Sequence, residues 1–218
     1  MSIDIGPSVL PETIHAKLRA SIIDQGFAPG TSITESAVAL QFGVARPTAK
    51  MAIERLVTEG LLRRELHQSA RVPQLARDDI LDLYNNRAVI ETAAIDALAE
   101  TGAVPVDAMR AHHALVASTE RKRPFAEHDI AFHRALVSGQ PSPRLARMHA
   151  LLMGEIELCI GQVLTGHLIE AKDVAAQHQA ILDAVIAGDR KLAVTRTRDH
   201  IHASRDVLLK YHDARSAT

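Results

Sequence analysis

Apolar residues return at helical spacing along most of this chain, and glycine or proline marks most of the interruptions. Ile14, Leu18 and Ile22 stand at i, i+4 and i+8, which predicts a helix over 11–25 that stops at Gly26. Pro29-Gly30 then turns the chain. Thr34 is placed to cap a short helix over 35–42, with Val38, Leu40 and Phe42 as its apolar residues and Gly43 as its stop. A third helix begins near Arg46 and accepts Pro47, because first-turn amides have no partner inside the helix. It runs to about Thr58 with Ile53, Leu56 and Val57 facing inward. Residues 61–64 and 70–73 are expected to pair as two short strands about a turn at 65–69.

Beyond Pro73 the period stays helical. Asp78 or Asp79 is placed to cap a helix reaching about Glu100, with Ile80, Leu83, Arg87, Ile90, Ala94 and Leu98 at its recurrent positions. Further helices are expected at about 105–119, 124–138, 143–164, 170–187 and 190–211. The fold class expected is mostly α: a winged helix-turn-helix over 1–73, then an all-α bundle of six to seven helices over 74–218.

Composition sharpens this picture. Aromatic residues make up 3% and tryptophan is absent, so a chain that is 47% apolar must build an aliphatic core, which suits packed helices. Cys159 is alone, which rules out an intrachain disulfide and any multi-cysteine zinc site and fits a reducing cytoplasm. No basic patch followed by an apolar run opens the chain, and Glu155 and Glu157 interrupt its most apolar stretch, so neither export nor membrane insertion is expected. Net charge is −1, but from Arg46 to Arg71 six basic residues face three acidic ones, so positive charge concentrates where the short helices lie.

Two helices around a tight glycine turn, the second led by Arg46, Thr48 and Lys50, form the pattern in which the second helix enters the major groove. Solvated charges on an ordinary three-helix domain would give the same periodicity, so the order of elements has to decide. Leu18-Arg19, Pro29-Gly30, Glu35-Ser36, Phe42-Gly43-Val44, Arg46, Lys50, Ala52-Ile53 and Glu59-Gly60-Leu61-Leu62 together resemble the N-terminal domain of the GntR family of bacterial regulators. That resemblance implies DNA contacts from Arg46 and Lys50 with support from Thr48, a phosphate contact from Arg19, and a wing carrying His67 and Gln68 toward the minor groove. Ala45 where a hydroxyl usually caps, the order Pro47-Thr48, Met51 in place of Glu and Ser69 in place of Gly depart from the family pattern. These departures leave the operator sequence open.

Asp129 and His133, at i and i+4, project from one helix face. His178 and His200 lie eleven residues either side of the turn at Gly188-Asp189, so an antiparallel hairpin sets both roughly 16 Å from the bend and level with each other. One carboxylate and three imidazoles suit a divalent metal, zinc foremost, with nickel, manganese or iron also admissible. A chain with twelve histidines can match such a set by chance, and the matched spacing is what favours the metal. The other histidines of this half, His112, His113, His128 and His202 among them, are expected to face solvent.

The run from Asp129 to Leu136, the run from His178 to Asp189, and His200 resemble the ligand-binding domain of the FadR-like branch of that family. This implies a metal held by Asp129, His133, His178 and His200, a small organic acid effector, a homodimer and a double-stranded operator with inverted half-sites. In similar regulators an Arg where Arg87 stands reaches toward the effector, although a structural ion pair with Glu91, one turn away, suits it equally. No catalytic residue is assigned. A metal-dependent hydrolase and a structural-metal dimerisation unit without effector remain the alternative readings.

Overall fold

Ile14, Leu18 and Ile22 are buried on α1 (Leu10–Ile23), as their spacing predicts. In this computed structural model, which describes residues 10–118, 122–165 and 170–216, α1 belongs to the first of two compact units, Met1–Gln74 and Leu75–Thr218. The first unit continues through β1 (Ser32–Ile33), α2 (Glu35–Phe42), α3 (Arg46–Thr58) and β2 (Ala70–Arg71). The Thr34 hydroxyl accepts from the Ala37 amide at 3.2 Å and starts α2, while Gly43 ends it at φ 65°, a left-handed conformation that favours glycine. Three residues, 43–45, then separate α2 from α3. Ala49, Ala52, Ile53 and Leu56 bury one face of α3, and Ala45 supplies its first turn with no side-chain cap.

The wing differs from expectation. β2 pairs antiparallel with β1, Ser32 opposite Arg71 and Ile33 opposite Ala70, while the stretch expected as its partner contributes a single bridge, Arg63 to Arg71. Leu61 and Leu62 are both buried, and consecutive burial conflicts with the alternation of a one-sided strand. Their amides both bond back to the Leu56 carbonyl of α3 instead of joining a sheet. The two-residue β1 is too short for any periodicity to reveal.

The second unit holds α4 (Arg77–Thr101), α5 (Val106–Ala117), α6 (Lys122–Ser138), α7 (Pro143–Thr165), α8 (Ala171–Ile186) and α9 (Arg190–Ser216). The expected cap of α4 is corrected in detail: Ala76 is the N-cap residue, and Asp79 reaches back from the third helical position to accept its amide at 2.8 Å. α4 lies against α9, α7, α6 and α8, so it runs through the unit's centre. Ile80, Leu83 and Tyr84 pack with Ile156 and Ile201 in one core, and Ile95 and Leu98 pack with Phe132 and Ile181 in another. The α4 stretch between them carries Arg87 and Glu91, both buried. Gly188, at φ 69°, closes the α8–α9 hairpin. Among the described residues, no helix is long and apolar enough to cross a membrane.

Candidate metal centre and nucleic-acid surface

Three helices meet at one point of the second unit. α6 presents Asp129 and His133 one turn apart, α8 presents His178 and α9 presents His200, and all four are buried. One donor atom from each falls within 4.8 Å of all the others. His133 Nε2 stands 3.1 Å from His200 Nε2 and 3.9 Å from Asp129 Oδ1. His178 Nε2 stands 3.3 Å from the same Asp129 oxygen without being directed at it as a hydrogen bond.

The outer partners decide which nitrogens carry protons. Glu91 Oε2, an acceptor, lies 2.7 Å from His133 Nδ1, so that nitrogen donates and Nε2 is the one turned to the cluster. Gln177 Oε1 lies 2.7 Å from His200 Nδ1 and fixes the same tautomer there. His133 Nε2 and His200 Nε2 thus both point into the cluster, 3.1 Å apart. Ligands around a tetrahedral zinc ion stand about 3.3 Å apart at ordinary zinc–nitrogen distances. Both ring nitrogens of His178 are buried without a hydrogen-bond partner, and Phe132 orients that ring by stacking on it, centroids 3.9 Å apart. The donor set fits a divalent ion.

Electrostatics prepares the same chemistry. Burial lowers His178 to about 4, against the pull of Asp129, and burial together with the neighbouring imidazoles lowers His200 well below its usual range. Both rings are thus neutral near pH 7, as ligation requires. Burial would raise Asp129, but the His178 ring beside it and the nearby His133 and His200 hold it below the usual carboxylate range.

Glu91 joins this cluster to two further groups that the sequence did not assign to it. Its Oε1 accepts from Arg87 Nε at 2.7 Å and from His149 Nε2 of α7 at 3.0 Å, while Oε2 takes His133. Burial opposes its charge, yet the Arg87 guanidinium and the His133 ring hold it well below the usual carboxylate range. His149 interrupts an apolar stripe formed by Leu145, Leu152, Met153 and Ile156, and a histidine inside such a stripe was the available signal of burial. His112 corrects the expectation of solvent exposure: it is buried beside Ala108, Ala111 and Leu115, with Nε2 3.0 Å from Gln179 Oε1. His113 is exposed, and His128 and His202 are half-buried. Arg87 makes the ion pair anticipated with Glu91, and it also lines a cavity together with Asp129 and His200.

In the first unit, Arg46 and Lys50 are exposed on α3 and Thr48 is half-buried. Arg46 donates to the Ser36 hydroxyl of α2, and Lys50 lies 3.6 Å from Glu54. Arg19 is half-buried with Nε 3.9 Å from Glu59, which His15 also meets at 2.9 Å. His67 and Gln68 occupy the exposed turn between Arg63 and β2, His67 at φ 62° and Gln68 donating to Glu65 at 2.9 Å.

Residues 10–72 match the family of bacterial regulatory proteins named gntR, and residues 82–203 match the FCD domain family. A protein of Paenarthrobacter nicotinovorans, named as a probable transcriptional repressor of a D-xylose utilization operon, is 29% identical over 198 residues, covering 88% of this chain and 87% of its own length. Among solved structures, a GntR regulator from Rhodococcus sp. RHA1 superposes with a TM-score of 0.77 at 23% identity over 92% of this chain and 97% of its own. McbR/YncC of E. coli superposes at 0.73 with 18% identity over the same shares. At these identities the structures establish a shared fold.

Proposed function

This chain belongs to the GntR family of bacterial regulatory proteins, with an FCD domain behind its DNA-binding unit, and from that premise we propose a homodimer that binds an inverted-repeat operator and responds to a small organic acid held beside a divalent metal ion. Transcription regulators of this type bind DNA; the finer statement concerns how the binding is controlled. The observation that carries it is the convergence of four buried donors, one each from Asp129, His133, His178 and His200, all within 4.8 Å of one another. Asp129, His133, His178 and His200 would hold the ion, zinc foremost. Once bound, it offers a positive centre with positions left for an anionic ligand.

Arg46 and Lys50 reach base edges or phosphates from α3, with Thr48 beside them, and His67 and Gln68 approach the backbone from the wing. Arg19, whose Nε stands 3.9 Å from Glu59, would add a phosphate contact. A dimer would place two α3 helices at half-sites about one helical turn apart. The acid regulates if it binds two conformers of the dimer unequally.

Selection of bound sequences from a random DNA pool, at physiological salt and with competitor DNA present, tests the DNA half. Enriched inverted repeats that Arg46→Ala and Lys50→Ala each weaken are expected. A metal-loaded, folded protein that enriches nothing, or variants that bind the selected site unchanged, would overturn the assignment. Metal analysis of the purified protein tests the other half, with one ion per chain expected and none from a chain lacking His178.

A further inference from the structure

We propose that Met51, with Pro47 beside it, reads the C5-methyl group of a thymine in each operator half-site, so that base recognition by α3 is in part apolar. This deepens the DNA-binding reading above and rests on it. Among the described residues of the first unit, the large apolar side chains left in solvent are Leu40, Met51 and Leu66. Of these Met51 is the one on α3, where it is 59% exposed.

Its place on the helix is what selects it. Ala49, Ala52, Ile53 and Leu56 form the buried side of α3. At about 100° per residue, Pro47 and Met51, one turn apart, fall roughly 150–170° from the centre of that side, in the middle of the exposed face. Arg46 and Lys50, also one turn apart, run along its flank, and no acidic residue occurs in α3 before Glu54. An apolar row bordered by cations thus occupies the N-terminal part of the helix, the part that meets base edges while cations meet phosphates. Arg46 is engaged with the Ser36 hydroxyl and Lys50 stands 3.6 Å from Glu54, whereas the Met51 side chain lies open between them and the opposite flank.

The chemistry of the groove then names the partner. Guanine, adenine and cytosine show acceptors or an amino donor on their major-groove edges, and thymine alone adds a methyl group. A thioether donates no hydrogen bond and accepts only weakly, so beside a polar edge Met51 would displace water without replacing its bonds. Against a methyl group it removes apolar surface from water on both sides, and its unbranched chain adapts to the gap. Burying one methyl-sized group is worth about fourfold in affinity. Two half-sites contacted alike multiply this to about sixteenfold, because distant sites act independently.

The test takes the operator selected by the full chain and replaces its thymines by uracil, one symmetric pair at a time, which removes the methyl group and leaves base pairing as it was. Fluorescence anisotropy reads the affinity of each duplex. At one symmetric pair uracil should weaken binding roughly sixteenfold. Met51→Ala should bind the thymine and uracil duplexes within about twofold of each other, because the shortened side chain no longer reaches the methyl group. Met51→Leu should keep a preference for thymine, and circular dichroism checks the fold of both variants. A wild-type protein that binds every uracil duplex within about threefold of the thymine one would overturn the inference and leave the DNA-binding reading intact. So would a folded Met51→Ala protein that retains the wild-type preference, or a selected half-site without thymine. A protein that selects no operator would overturn that reading and this inference together.

Discussion

Replacing Glu91 by Gln keeps the shape of the side chain and removes the charge that Arg87, His133 and His149 share. Arg87 and Glu91 are 1% and 2% exposed, so water cannot take over the lost role. Breaking a buried pair by neutralising one partner costs about 3–5 kcal/mol, because the other charge is left unpaired in a medium of low polarity. At roughly 2–4 °C per kcal/mol for a chain of this size, the melting temperature of the metal-free protein should fall by about 6–20 °C. Calorimetry on wild type, Glu91→Gln, Arg87→Met and the double variant measures this. If the cost is an orphaned guanidinium, the double variant must be less damaged than the sum of the single ones, since it removes both charges. Zinc affinity provides a second readout. Glu91→Gln leaves one acceptor oxygen for the three donors Arg87, His133 and His149, so the hydrogen bond that fixes the His133 tautomer is weakened, and outer partners of metal-binding histidines are worth about 10–100-fold in affinity. A Glu91→Gln protein within about 1 kcal/mol of wild type, or single effects that simply add, would refute the claim that this carboxylate is the hub of the unit.

How much of this was legible follows from what each signal encodes. Helices of ten residues or more announce themselves by period, so α4 to α9 lie near their expected positions. The level placement of His178 and His200 follows from counting across one turn, and Asp129 with His133 follows from one helical step. The surroundings of that site were harder to read. Glu91, Gln177 and His149 reach the cluster from α4, α8 and α7, and no sequence spacing relates positions 91, 133 and 149 unless the helix packing is already known. Burial could have been suspected from Arg87 and Glu91 together on the inward face of α4. Arg87 makes the ion pair weighed for it and also lines a cavity, which a side chain with three nitrogens can do at once. The wing shows the opposite limit: a two-residue strand is fixed by pairing, and Leu61 and Leu62 read as a strand until their joint burial is seen.

Three further outcomes are expected. Ala45→Ser restores a cap to α3, which now has none, and should stabilise the first unit by about 1 kcal/mol; a melting transition that does not rise would mean the first turn is satisfied in another way. His178→Ala removes a donor rather than an outer partner, so zinc affinity should fall by more than the roughly 100-fold upper range for an outer partner, read by competition with a chelator while circular dichroism checks the fold. The last concerns acid. His178 is held near 4 and His200 well below its usual range, both first of all by burial, whereas an unfolded histidine titrates near 6.5. Between about 4 and 6.5 the unfolded metal-free chain therefore binds more protons than the folded one, and stability must fall as pH falls through that window. Asp129 and Glu91 are both depressed, so their contributions are lost only at lower pH and in the same direction. Each extra proton bound by the unfolded state costs about 1.4 kcal/mol per pH unit, so two histidines give a slope approaching about 3 kcal/mol per unit in the middle of the window. Urea midpoints of the metal-free protein at pH 7.5, 6 and 5 measure that slope. A midpoint constant across the three would mean that His178 and His200 gain protons as readily in the fold as outside it, which the burial of both rings forbids.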